Sequence, residues 1–121
     1  MTSSAKSLFF FGIYVVCTGL FFIIIPEKLI SLTFLPAIPS WWARFIGLLA
    51  LVIGSYEIFS ARANIKAFIK ISVIVRLGFA IGTLLLYAFG QMPIAIILFG
   101  GIDALGAVWT SMALKSENVS A

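Results

Sequence analysis

Four long apolar stretches, roughly Leu8 to Ile25, Trp41 to Ser60, Ala67 to Phe89 and Pro93 to Leu114, occupy most of this 121-residue chain. Each has about the 17–25 residues that an α-helix needs to cross a hydrocarbon core. Inside a bilayer the backbone must satisfy its own polar groups, so these stretches have to be helices. The connections between them are short, which makes neighbouring helices antiparallel. The expected fold is therefore all-α: a polytopic membrane protein, an antiparallel four-transmembrane-helix bundle forming a single domain over residues 1–121.

Composition points the same way. The chain is 63% hydrophobic and 10% charged, whereas soluble domains carry about 25% charged residues. The net charge of +4 does not imply nucleic acid as a partner, because the spans leave no soluble surface for a basic patch. The basic residues follow the positive-inside rule instead. Lys6, Arg62, Lys66, Lys70 and Lys115 share one side of the bundle, against Lys28 and Arg44 on the other. That asymmetry predicts both termini in the cytoplasm, and the lack of targeting features suits a bacterial inner membrane. The run after Lys6 is too long for a signal peptide and no small-residue cleavage site follows it, so it reads as a retained span.

The first connection, Pro26 to Ser40, is unusual in being apolar: Leu29, Ile30, Leu32, Phe34, Leu35 and Ile38 stand among three prolines. Such a segment should lie at the membrane interface or fold back over the bundle mouth. Trp41, Trp42 and Tyr87 fit one aromatic belt, and Trp109 lies nearer the opposite face. Gly90 to Pro93 reads as a tight turn and Ser116 to Ala121 as a frayed polar tail.

Function has to come from the few polar side chains at membrane depth. Such residues usually face the bundle interior or a cavity and look for partners. Arg44 is close enough to a helix end to extend to the surface. Arg76, six residues beyond Lys70, lies roughly 9 Å deep at about 1.5 Å per residue. Glu57 is similarly placed on its own span and Asp103 is nearer mid-bilayer. Arg76 is expected to pair with Glu57, Asp103 or both. At about 100° per residue, Ser72, Arg76, Thr83 and Tyr87 form one polar stripe on the third span. Gly100, Asp103, Ala107 and Thr110 form another on the fourth. Ala43, Gly47, Ala50, Gly54, Glu57 and Ala61 recur at threes and fours on the second span, and small residues at that spacing let helices approach closely. Tyr14 and Thr18 lie one turn apart on the first span, with Gly12 and Gly19 on another face.

The ligand-binding or ion-pathway candidates are thus Arg76, Asp103, Glu57, Tyr87, Thr83, Thr110 and Ser72. Each also has a purely structural reading. Small stripes serve as packing seams, Ser and Thr bond to their own helix carbonyls, and Glu57 with Arg76 can be a structural ion pair. An acid near mid-bilayer is costly to keep for packing alone, which makes Asp103 the strongest functional candidate. No catalytic arrangement is visible and no cofactor is identified. There is no histidine, and Cys17 stands alone, so a metal site is not expected; Cys17 reads as an inert core residue.

The chain resembles the DoxX-like group of small four-helix membrane proteins in Arg44-Phe45-Ile46-Gly47, in Gly54-Ser55-Tyr56-Glu57, in the basic loop and in the Gly-rich last helix. The resemblance implies an accessory role in a membrane redox system and carries over no catalytic residue. The first-span glutamate of small multidrug transporters is absent, as is the Asn-, Ser- and Thr-rich signature of fluoride channels.

Three functions remain in view. The first is a bundle interior that binds a lipid, a quinone or another amphipathic ligand, with Arg76 meeting its head, Asp103 orienting it and the apolar first loop as a lid. The second is an oligomeric proton-coupled carrier or ion pathway using Asp103. The third is an assembly subunit docking other membrane proteins through its small-residue faces.

Overall fold

The computed structural model describes residues 2–32, 38–90 and 93–120, leaving aside the side chains of Leu29 and of residues 118–120. Among them are five helices: α1 Ser3–Ile24, α2 Pro26–Leu32, α3 Ser40–Arg62, α4 Lys66–Ala88 and α5 Ile96–Ser120. Four of the five are long and apolar enough to cross a membrane, so the chain is an all-α, multi-pass membrane protein. Its surface carries the exposed aliphatic and aromatic side chains that such helices present to lipid.

Three boundaries depart from the sequence expectation, each for a local reason. Helix α1 begins five residues before Leu8 because the Thr2 side chain caps it by accepting from the Ala5 N–H. Helix α5 starts only at Ile96, since the backbone from Pro93 closes three successive i-to-i+3 turns first. It then continues through residues 116–120, where a frayed tail was expected. Glu117 holds that end: it accepts from Ser4 N and Ser4 Oγ at 2.8 and 2.9 Å and pairs with Lys66. Lys66 Nζ also donates to Ser4 Oγ and Thr2 Oγ1, and this knot ties α1, α4 and α5 together at the end where α1 begins and α5 finishes.

The link from α3 to α4 is three residues long because α3 stops in a Schellman motif. Asn64 takes φ 54°, its N–H donates to Ala61 O, and the Ile65 N–H donates to Ser60 O. Asparagine is the residue other than glycine that tolerates this left-handed backbone best. The link after α4 turns at Gly90, φ 75°; Gln91 and Met92, read as part of that turn, lie outside the described residues.

The helices form two close pairs, α1 with α3 and α4 with α5, joined by packing of α1 on α5; α3 and α4 barely touch. Glycine makes the first pair. A Cβ added to Gly47 would sit 2.5 Å from Gly19 O, and one added to Gly19 would sit 2.7 Å from Gly47 O. One level along, a Cβ on Gly54 would be 3.0 Å from Gly12 O and one on Gly12 would be 3.1 Å from Gly54 O. Backbone therefore lies against backbone over two turns, the close approach expected of the small-residue stripe. In the second pair Gly100 makes room for the Thr83 side chain.

Part of the apolar first connection is the short helix α2. It folds back on the bundle, with Ile30 buried against Phe22 and Ala43. Phe34 and Leu35, read as part of the same segment, lie outside the described residues. Cys17, expected in the core, is exposed instead, because α1 turns its glycine face to α3 and leaves position 17 outside that seam.

Candidate functional site

Because α3 and α4 barely meet, a cleft of about 790 Å³ runs between them, floored by α1 and α5. That size falls within the roughly 300–1,000 Å³ of ligand pockets. The α3 wall carries Ile46, Ile53 and Tyr56, and the α4 wall carries Ile71, Val75 and Phe79. All six are exposed, so the mouth of the cleft is apolar and open along the side of the bundle. At the end opposite the termini, Phe22, Ile30 and Ile38 line it, placing the α2 segment against the cavity.

Polar atoms are concentrated at a few positions. Glu57, Ser72, Arg76 and Asp103 all line the cleft, with Tyr14 and Thr18 beside them. Helical register brings them there: the small-residue stripe of α3 packs on α1 and turns Glu57 inward, and Arg76 and Thr83 of the α4 stripe face α5.

Arg76 is 5% exposed and is immobilised. Its Nε donates to Ser72 O at 3.2 Å and its Nη2 to Thr110 Oγ1 at 2.9 Å. The guanidinium lies over the Phe11 ring, 4.7 Å from its centroid, a cation–π contact. A Cβ on Gly106 would come within 2.7 Å of that ring and 3.1 Å of Nη1, so glycine is the residue that leaves space for both. Thr110 in turn lies 2.7 Å from Ser7 Oγ and donates to Gly106 O; Ser7 donates to Ser4 O at 2.8 Å. A buried polar column thus links Arg76 to the terminal knot of Lys66 and Glu117.

The expected ion pair of Arg76 with Glu57 or Asp103 is not made among the described residues. Glu57 and Asp103 are both within electrostatic range of Arg76, yet the ion pair among the described residues that closes within 4.0 Å is Lys66 with Glu117. Thr110 and Ser72 take the guanidinium hydrogen bonds instead. The two acids therefore face the cleft with no donor on them from the described residues, and Glu57 Oε2 and Arg76 Nη1 are enclosed without a hydrogen-bond partner.

Of the residues singled out from sequence, Glu57, Ser72, Arg76 and Asp103 come together in the cleft, and Thr110 supports Arg76 from behind. Thr83 is buried outside the cleft lining: it donates to Ala80 O at 2.7 Å and packs on Gly100. Tyr87 is exposed and does not reach the cleft. The sequence reading missed Phe11, Ser7 and Gly106. Ser4, Ser7 and Phe11 share a face at spacings of three and four, a pattern obscured by treating residues before Leu8 as a flank. Arg44 lies at the opposite end of the bundle, exposed, beside Glu27, Lys28 and Ser40. No group of three or more metal-ligating side chains occurs among the described residues. Compared with known protein families, with curated proteins and with solved structures, the chain matches none.

Proposed function

We propose that this protein binds a small amphipathic molecule taken laterally from the bilayer into the cleft between α3 and α4. The observation that carries the reading is the combination of an apolar, laterally open cleft with Glu57, Arg76 and Asp103 grouped inside it. Hydrocarbon enters such a mouth from lipid without crossing water, and a polar head finds Glu57, Arg76 and Asp103 within. Ile30 and Ile38 close the far end, in the manner of a lid. Lipids and quinones are ligands of this general class, and the DoxX-like resemblance would make the chain an accessory subunit of a membrane redox system. The charge asymmetry of the loops supports both termini in the cytoplasm, and a bacterial inner membrane suits the chain.

Native mass spectrometry on protein released from gentle detergent tests the reading. A bound molecule of defined mass is the expected result. Bare protein across detergents and lipid supplements would overturn it.

A second reading, an oligomeric proton-coupled carrier, draws on Asp103, which is half-buried on the cleft floor with no donor from the described residues. It requires proteoliposome flux that Asp103→Asn abolishes. The assembly-subunit reading loses its main surface, because the glycine stripe of α3 is already covered by α1.

A further inference from the structure

The ionisable groups of the cleft differ in how far the protein itself has satisfied them. Arg76 is committed: Ser72 and Thr110 accept from it, and its face is covered by Phe11. Its remaining nitrogen, Nη1, is enclosed beside Gly106. The guanidinium is therefore part of the wall and presents little of itself to a ligand. Glu57 and Asp103 are the reverse case. Neither accepts a hydrogen bond from the described residues, although both line the same cavity and Glu57 is only 5% exposed.

Charge and hydrogen-bond capacity point in one direction. Two carboxylates face one guanidinium, and the other titratable cleft groups, the phenols of Tyr14 on α1 and Tyr56 on α3, add no positive charge. Ionised carboxylates are acceptors only, and buried acceptors left without donors are costly. The acceptor positions of the two acids are therefore met by no donor among the described residues, and the apolar walls ask for hydrocarbon beside whatever group supplies those donors.

We propose that the cleft selects a lipophilic ammonium, an amine cation whose N–H groups donate to Glu57 and Asp103 while its hydrocarbon lies along Ile53, Val75 and Phe79. The inference rests on reading the cleft as a ligand site and narrows the ligand class. A carboxylate or phosphate head would bring a further negative charge and no donor. An alcohol supplies one donor and no charge. A quinone head offers acceptors alone and brings no donor to a carboxylate. Sites built around buried polar groups discriminate strongly against analogues that leave those groups unpaired.

The test is isothermal titration calorimetry on the full chain in phosphatidylcholine nanodiscs, with empty discs subtracted, at neutral pH. Three probes share one chain length: dodecylamine, dodecanol and dodecanoate. Dodecylamine is expected to bind at least about tenfold more tightly than either of the others. Glu57→Gln and Asp103→Asn, near-isosteric replacements, should each weaken it about tenfold. Circular dichroism establishes that the variants fold, and the probe series on the unaltered chain decides the matter if they do not. Dodecanol or dodecanoate binding as tightly as the amine would overturn the ammonium inference while the cleft reading stands. Amine binding that is indifferent to both substitutions would also overturn it. Binding of none of the three would overturn the ammonium inference, while the cleft reading would still stand or fall by the bound mass in native mass spectrometry.

Discussion

At the scale of single residues, the organising group is Thr110. It is fully buried and accepts from Arg76, contacts Ser7 Oγ and donates to Gly106 O. One hydroxyl therefore connects three helices. Helical Ser and Thr commonly spend their hydroxyls on their own helix, and Thr110 does this while still accepting from outside it. Thr110→Val keeps the shape and removes the oxygen, leaving Arg76 Nη2 and Ser7 Oγ without it. The expected cost is about 1–2 kcal/mol, read as a lowered unfolding midpoint in detergent. Thr110→Ser, which keeps the hydroxyl, should recover most of the loss; equal destabilisation by both variants would show that packing and not the oxygen matters.

At the scale of elements, the glycines separate into two kinds by what lies opposite them. Gly47 and Gly19 meet backbone to backbone, and the atom nearest a Cβ added to either is the other's carbonyl oxygen, which cannot yield as a side chain can. Gly47→Ala forces α1 and α3 apart and should destabilise by about 1–3 kcal/mol, as overpacking does. Gly78 and Gly82 on α4 have open space beside them. Gly78→Ala should be neutral or stabilising by up to about 1 kcal/mol, the helix-propensity difference between the two residues. Thermal unfolding followed by circular dichroism distinguishes the pair, and equal effects at positions 47 and 78 would contradict the seam. The Lys66–Glu117 pair at the terminal end is partly exposed, with side chains 38% and 21% accessible. It contributes modestly by itself, and its role is to keep the last turn of α5 against Ser4.

At the scale of the whole molecule, the decisive fact is an asymmetry of pairing. Helices α1 and α3 close on glycine, α4 and α5 close on Gly100 with Thr83, α1 packs on α5, and the remaining contact, α3 with α4, stays open. An open seam in water would collapse, because burying its apolar walls would be favourable. In a bilayer the walls are already among hydrocarbon, so little drives them together, and the cleft persists. Filling its mouth should remove binding without disturbing the fold. Val75→Trp places a large ring at an exposed position of the α4 wall. It should abolish the bound mass seen by native mass spectrometry while leaving helicity and melting behaviour unchanged, and retained ligand would place the site elsewhere.

The number and type of the long helices were legible from the sequence, because a bilayer admits few alternatives for an apolar stretch of that length. The glycine stripe of α3 and the polar stripe of α4 were legible too, since helical period alone sets which residues share a face. The grouping of Glu57, Arg76 and Asp103 followed from their depth along the helices. Period and depth do not say which helix a face will meet. Only the tertiary structure decided that Arg76 turns to Thr110 and Phe11 and leaves the two acids to the cleft, that Thr83 packs on Gly100, and that Tyr87 stays outside. Those outcomes depend on which helix pair closes most tightly. The answer lies in backbone approach at Gly12, Gly19, Gly47 and Gly54, a property of two helices together that neither one's sequence contains.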